Sequence, residues 1–309
     1  MPPSVRAAVP PAAPAAAPPA PAAARASLRG IALMVVGSLM ICVNDAIIKW
    51  LSASYPTGEL MFLRGGFMFL PILLLLWREG GLRAARVRRW PGQMARAAAV
   101  VGSTVFFIAG LRHLPLADTT AIAFAGPLFV TALAPLMLAE RVGWRRWSAV
   151  LFGFAGVLVM LRPTGGGLNW AAMLPLGAAL CGALRDLLTR RLSATESSLS
   201  ILIVTTATVA LAGLATLPFG WRLPSMGDLA LMALSGIVLG TGHYLIIEAF
   251  RLAEAALVAP FKYSSLLWAV ALGAMVWGHL PDGAMLVGAA IVVLSGLYIL
   301  HREMRYRGR

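Results

Sequence analysis

The sequence predicts an all-α polytopic membrane protein of ten transmembrane helices, arranged as two inverted five-helix repeats. Composition is the first reason. Of 309 residues, 60% are hydrophobic and 12% charged, with a mean hydropathy of +0.82, far from the mix of a soluble domain. Span length is the second, because apolar stretches recur near the ~20 residues that carry a helix across ~30 Å of hydrocarbon. The third is an internal repeat, described below.

The ten stretches run from about 30 to 50, 57 to 77, 93 to 112, 115 to 139, 145 to 162, 169 to 190, 199 to 218, 227 to 249, 253 to 278 and 282 to 300. Residues 1–28, rich in Pro and Ala, are expected to form a disordered cytoplasmic tail,. Residues 29–163 make the first repeat, 164–301 the second, and 302–309 a basic cytoplasmic tail. The N-terminal stretch lacks the order of a cleavable signal, so the first span is expected to act as an uncleaved signal anchor. Cys42 and Cys181 both fall inside spans, where small packing residues are the plain reading,.

The segments between spans are too short for a nucleotide-binding domain, and no GxxxxGK[ST] loop occurs,. Most of the 26 Lys and Arg fall in segments that face one side once the spans are threaded. The positive-inside rule then puts both termini in the cytoplasm of an inner-membrane protein. The net charge of +14 thus reflects topology and contact with anionic lipid rather than nucleic-acid binding.

NDAIIKWLSA (44–53) aligns with RDLLTRRLSA (185–194), placing Asp45 over Asp186 and Lys49 over Arg190 at an offset of 141. LRHLPLADTT aligns with RLAEAALVAP, placing Arg112 over Arg251; extended without gaps at an offset of 139, it puts Glu140 over His279. Five spans per copy is odd, so the second copy enters the membrane from the opposite side. Inverted repeats with a site at their interface are a recurring plan of secondary transporters.

LRHLPLADTTAIAFAGPLFVTALAPLMLAERVGWRRWSAVLFGFAGVLVMLRP (111–163) and FRLAEAALVAPFKYSSLLWAVALGAMVWGHLP (250–281) resemble the EamA-type branch of the drug/metabolite transporter superfamily. The resemblance implies ten spans in two inverted halves, a small-molecule substrate and no catalytic role. It leaves a homodimer open and implies no cofactor or metal. NDAIIKWLSASYPTGELMFLRGG looks most like subgroups associated with riboflavin or S-adenosylmethionine uptake, with export of amino acids or a metallophore-like metabolite as the alternative. The chain departs from the family where Gly278 precedes His279, since Gly-Glu is usual there.

Charges inside spans mark the candidate site. At ~1.5 Å per residue, Asp45 lies about 22 Å from the inner boundary and Arg64 about 10 Å below the outer one, so they are expected to pair, with Lys49 and Glu59 facing each other nearer the headgroups. Such pairs either staple helices or gate the path, and Asp186 and Arg190 repeat the pattern at the inner end of the sixth span. Lys262 lies about 12 Å deep, after Pro260 and beside Tyr263; His243 and Tyr244 reach a similar depth on the eighth span. Pro260 and Pro127 are each expected to kink a helix and free a carbonyl. The expected cavity has Lys262 facing a polar group and Tyr263, Tyr244 and Phe124 covering a planar one, with Trp268 along the path. The alternative for Lys262 is a structural pair with Glu248 or Glu254. His243 and Glu248 are also candidates to carry a coupling proton. They form, with Ser264, the one cluster that an intramembrane enzyme would use, but that reading leaves the repeat unexplained; a passive channel is a third reading.

Overall fold

The computed structural model describes residues 20–78, 87–138, 143–161, 170–192, 195–253 and 255–307. Among them every regular element is helical: α1 (Ala20–Ser52), α2 (Thr57–Arg78), α3 (Trp90–His113), α4 (Leu116–Ala123), α5 (Gly126–Leu138), α6 (Trp144–Leu161), α7 (Trp170–Leu192), α8 (Ser198–Leu214), α9 (Met226–Leu252), α10 (Ala255–Val258), α11 (Ser264–Trp277) and α12 (Gly283–Arg307). Nine segments among the described residues are long and apolar enough to cross a membrane, with α4 and α5 forming one of them. The seventh expected span is α8, which is shorter and runs into a 3₁₀ turn at Leu217–Phe219. Helix α1 starts ahead of the boundary expected at 29, because its alanine-rich approach is helix-favouring,. Helix α12 likewise continues past 301. Residues 1–19, the division at 163/164, Glu140 and Glu254 lie outside the described residues.

Helix pairing follows the polar and small faces. The closest partners are α1 with α9, α3 with α7, α6 with α12, and α2 with α8 and α9. Large apolar side chains such as Leu74, Leu151, Phe152 and Leu294 point outward from the bundle, which is the pattern of helices solvated by lipid tails. Because lipid is as apolar as leucine, helices associate through close backbone approach. Gly156 on α6 and Gly288 on α12 each face the other's carbonyl, so a methyl on either would strike backbone. Gly236 on α9 abuts the Arg64 carbonyl of α2 in the same way. Trp50, Trp77, Trp144 and Trp170 are exposed near helix ends, where an aromatic belt sits.

Two polar clasps tie the loops after α1 and α7 to helices elsewhere in the chain. Tyr55 donates to Asp228 Oδ2 at 2.7 Å, and Ser225 donates to the same oxygen at 2.8 Å while capping α9. The bond to Asp228 holds the Tyr55 phenol above its ordinary pKa. At the other end of the bundle, Glu196 Oε1 accepts the backbone N–H groups of Arg88 at 2.9 Å and Arg89 at 2.6 Å. Its Oε2 accepts from Gln93 and Ser200, so one carboxylate secures the starts of α3 and α8. Burial alone would raise the Glu196 pKa, but the donors from Arg89, Arg88, Gln93 and Ser200 outweigh it and hold the carboxyl below its ordinary 4.5,.

A depressed carboxyl stabilises the fold above its unfolded pKa and loses that contribution as pH falls through the folded value. Glu196→Ala is therefore expected to cost roughly 1 kcal/mol by removing the acceptor shared by the Arg88 and Arg89 amides, Gln93 and Ser200,, lowering the melting temperature of the detergent-solubilised protein at pH 7. The advantage of wild type over Glu196→Gln should be constant near neutral pH and shrink below about pH 4.5, as followed by thermal denaturation across pH.

Candidate functional site

Two spans depart from a regular α-helix, one within its length and one at its start. Helix α4 ends at Ala123 and α5 begins at Gly126, with Pro127 at the start of the new helix. The amide of Ala125 reaches only to Ile122 O, in a tightened turn. Further along the chain, α10 gives way to a 3₁₀ turn at Ala259–Tyr263 containing Pro260 before α11 begins. Proline supplies no N–H and clashes with the preceding turn, which accounts for both breaks. Irregular backbone at membrane depth survives where protein or a cavity surrounds it, and here the two breaks face one another. The rings of Phe124 and Tyr263 pack at 4.9 Å between centroids, tilted by 34°.

Beside this ring pair lies a cavity of about 450 Å³, within the range of about 300–1,000 Å³ typical of small-molecule sites. Its walls come from α3, both halves of the α4–α5 break, α7, the 3₁₀ turn and α12. Lys262, Arg185 and Asp186 supply its charge. Arg185 Nε donates to Asp186 Oδ1 at 2.8 Å, and Asp186 acts electrostatically on Lys262. Ser103, Thr120 and Thr131 donate their hydroxyls to backbone carbonyls, leaving oxygen lone pairs that can accept. Tyr263 is seated over Gly296 of α12, where any side chain would overlap its hydroxyl.

The expected residues divide. Lys262, Tyr263 and Phe124 line the cavity together. Asp186, expected at a helix end beside Arg190, is part of the same wall, whereas Arg190 lies in the last turn of α7. His243 and Tyr244 are not among the lining residues. Helix α9 packs on α1 and α2, and the His243 ring turns back along its own helix, with Nδ1 2.9 Å from Leu239 O. Trp268 packs instead on the apolar cluster that includes Cys42, Ala46 and Ala269. Glu248 pairs with Arg251 at 3.0 Å on its own helix, rather than with Lys262.

Of the two expected ion pairs, Asp45 and Arg64 act on each other through space, while Lys49 and Glu59 find other partners. Asp45 accepts from Asn44 Nδ2 at 2.9 Å and senses the Arg64 guanidinium without a direct bridge among the described residues. Asn44 in turn accepts from Ser235 Oγ at 2.7 Å, so this polar knot joins α1 to α9 as well as facing α2. Lys49 does not meet Glu59. Its ammonium donates to Leu111 O at 2.8 Å and Leu114 O at 2.6 Å, at the carbonyl-rich end of α3 where a cation is favoured,. It also lies 5.5 Å from the Trp277 ring centre. Glu59 accepts the backbone N–H of Arg222 at 3.1 Å. Sequence reasoning missed Arg185 and Gly296 as parts of the cavity wall: depth along the sixth span does not tell which way Arg185 points, and a lone glycine carries no signal of what rests on it.

The EamA-like transporter family matches residues 28–162. A riboflavin transporter of Rhizobium johnstonii is 31% identical over 280 residues, covering 89% of this chain and 92% of that protein. The chain belongs to the EamA-like transporter family. An S-adenosylmethionine uptake transporter of Rickettsia prowazekii is 27% identical to this EamA-type protein over 279 residues, covering 90% and 94%. A solved crystal structure shares its fold, with a TM-score of 0.62 and 18% identity over 92% of this chain and 98% of the other.

Gly296→Val should displace the Tyr263 ring and narrow the cavity while leaving the bundle folded. The expected outcome is normal elution as a monodisperse species with substrate accumulation reduced at least fivefold, whereas Gly296→Ser should fall between. Equal accumulation by wild type and Gly296→Val would remove Tyr263 from the site.

Proposed function

We propose that this protein is an inner-membrane secondary transporter that takes up a small metabolite bearing a planar nitrogen heterocycle, by alternating access of a central cavity. The observation that carries the reading is the cavity itself: an aromatic pair at the meeting point of two broken helices, beside a charged wall. The relatives named for riboflavin and S-adenosylmethionine both handle ligands with a flat heteroaromatic ring and a hydroxylated side chain, which suits this combination of rings, cations and hydroxyls.

The helix packing supports two inverted repeats. If α1, α2, α3, the α4–α5 span and α6 correspond in order to α7, α8, α9, the α10–α11 span and α12, the main contacts map onto themselves. The partnership of α1 with α9 becomes that of α7 with α3, and α1 with α11 becomes α7 with α5. The pairs α2 with α8, α6 with α12 and α4 with α11 are self-matched. Phe124 and Tyr263 occupy equivalent positions at the offset of 139, so their contact lies where the pseudo-two-fold axis crosses the bundle. Tyr55 and Glu196 are equivalent at the offset of 141, and each clasps the N-terminal end of the third helix of the other half. Ala123 stands opposite Lys262 in this correspondence, so the lysine serves something other than scaffold symmetry.

With both termini in the cytoplasm, the cavity lies between the midplane and the cytoplasmic face, because Arg185, Asp186 and Leu300 approach the cytoplasmic ends of their helices. The outer end is held shut where Lys49 binds the α3 carbonyls and the Trp50 and Trp277 rings meet at 6.5 Å. Rocking of one half against the other would open that end and close the cavity from within.

Expression in a bacterium that neither makes riboflavin nor imports it tests this reading, with labelled riboflavin and labelled S-adenosylmethionine offered in parallel. One of the two is expected to accumulate well above the empty-vector level, unaltered chemically, and Lys262→Met should abolish most of that accumulation despite normal membrane levels. Failure of both compounds to accumulate or to exchange by counterflow in proteoliposomes would overturn it.

A further inference from the structure

The charges of the cavity wall discriminate between the two kinds of ligand left open above. Lys262 and Arg185 are cations, and Asp186 is the single carboxylate among the lining residues described. Arg185 already donates to Asp186, while the Lys262 ammonium has no hydrogen-bond or ion-pair partner among the described residues and faces the void. Its own carbonyl is held by Ser265 Oγ, which fixes the turn that presents it. An ammonium kept at membrane depth with no direct partner calls for a ligand that brings acceptors. S-adenosylmethionine carries a sulfonium and an ammonium against one carboxylate, so even with that carboxylate on Lys262 it brings net positive charge to a wall that already has an excess of it.

We infer that Arg185, Asp186 and Lys262 are the specificity determinants of the cavity and read the imide edge of a flavin-type ring, excluding cationic sulfonium compounds. The wall offers two donor groups and one acceptor group. An isoalloxazine edge presents the complement: two carbonyl oxygens flanking one N–H. The Lys262 and Arg185 donors match the two carbonyls, Asp186 accepts the imide N–H, and the flat ring system lies against Phe124 and Tyr263. The hydroxylated side chain meets the free lone pairs of Ser103, Thr120 and Thr131. Dispersion and stacking against the ring pair add affinity without regard to charge, so discrimination falls to the three charged groups.

This rests on the cavity being the substrate site, and the test separates the two. Purified full-length protein in lipid nanodiscs is titrated with riboflavin, N3-methylriboflavin and S-adenosylmethionine, reading flavin fluorescence directly and S-adenosylmethionine by competition. Riboflavin is expected to bind with fluorescence quenched by the rings. N3-methylation should weaken binding at least tenfold in wild type, and Asp186→Ala, which removes the acceptor and makes room for the methyl group, should bring the two flavins within about threefold. Lys262→Met should weaken riboflavin at least tenfold, with Lys262→Arg recovering most of the loss. Should a variant fail to fold, the two flavins on wild type still decide the matter. Equal binding of riboflavin and its N3-methyl derivative, or competition by S-adenosylmethionine at equal or lower concentration, would overturn the assignment. If S-adenosylmethionine alone accumulates in cells, the transporter reading stands and this inference fails; if neither crosses the membrane, the transporter reading itself fails.

Discussion

Backbone amides inside a bilayer have no water to turn to, and that constraint governs where this chain can depart from a helix. Pro127 interrupts the α4–α5 span within its length, and Pro260 stands in the 3₁₀ turn that opens the α11 span. Such breaks are tolerable where protein packs around them or where they line a wet cavity. Both conditions hold at one place, because α4 packs on α11 and the two interruptions meet across Phe124 and Tyr263. The cavity, its aromatic floor and its charged wall all depend on that meeting.

Charge is handled by the same logic. Several polar side chains within the spans are tied to a second helix at a point where the fold needs a fixed register. Lys49 ties α1 to the end of α3. Asn44 ties α1 to α9 through Ser235. Arg96 ties α3 to α7 through Thr189 at 2.5 Å and to α8 through Thr205. Lys262, like Arg64, senses a carboxylate without bonding it, but Lys262 lines the cavity.

Glycine completes the arrangement by letting helices approach without side chains between them. The crossing of α6 and α12 runs through Gly156 and Gly288, and that of α2 and α9 through Gly236. Gly296 uses the same absence differently, giving the Tyr263 hydroxyl a seat on α12 and so fixing the angle at which its ring borders the cavity.

Much of this was legible in the sequence because it follows from local chemistry. Span length and hydropathy set the helices, two prolines set the breaks, and the lysine after Pro260 was marked by the cost of a charge at that depth. Family membership was written in 111–163 and 250–281. What depends on azimuth was not legible: position along a helix gives depth, but not the direction in which a side chain points. His243 and Tyr244 share a depth with Lys262 and are still not among the lining residues, since α9 packs on α1 and α2, although His243 senses Arg185 and Lys262. Lys49 and Glu59 share a level and find different partners, since the nearest unsatisfied groups belong to α3 and to the backbone before α9. The sequence by itself determined which segments cross the membrane and where they break. Only the tertiary structure decided which charges face one another, because that choice rests on the rotation of each helix against its neighbours, which packing alone sets.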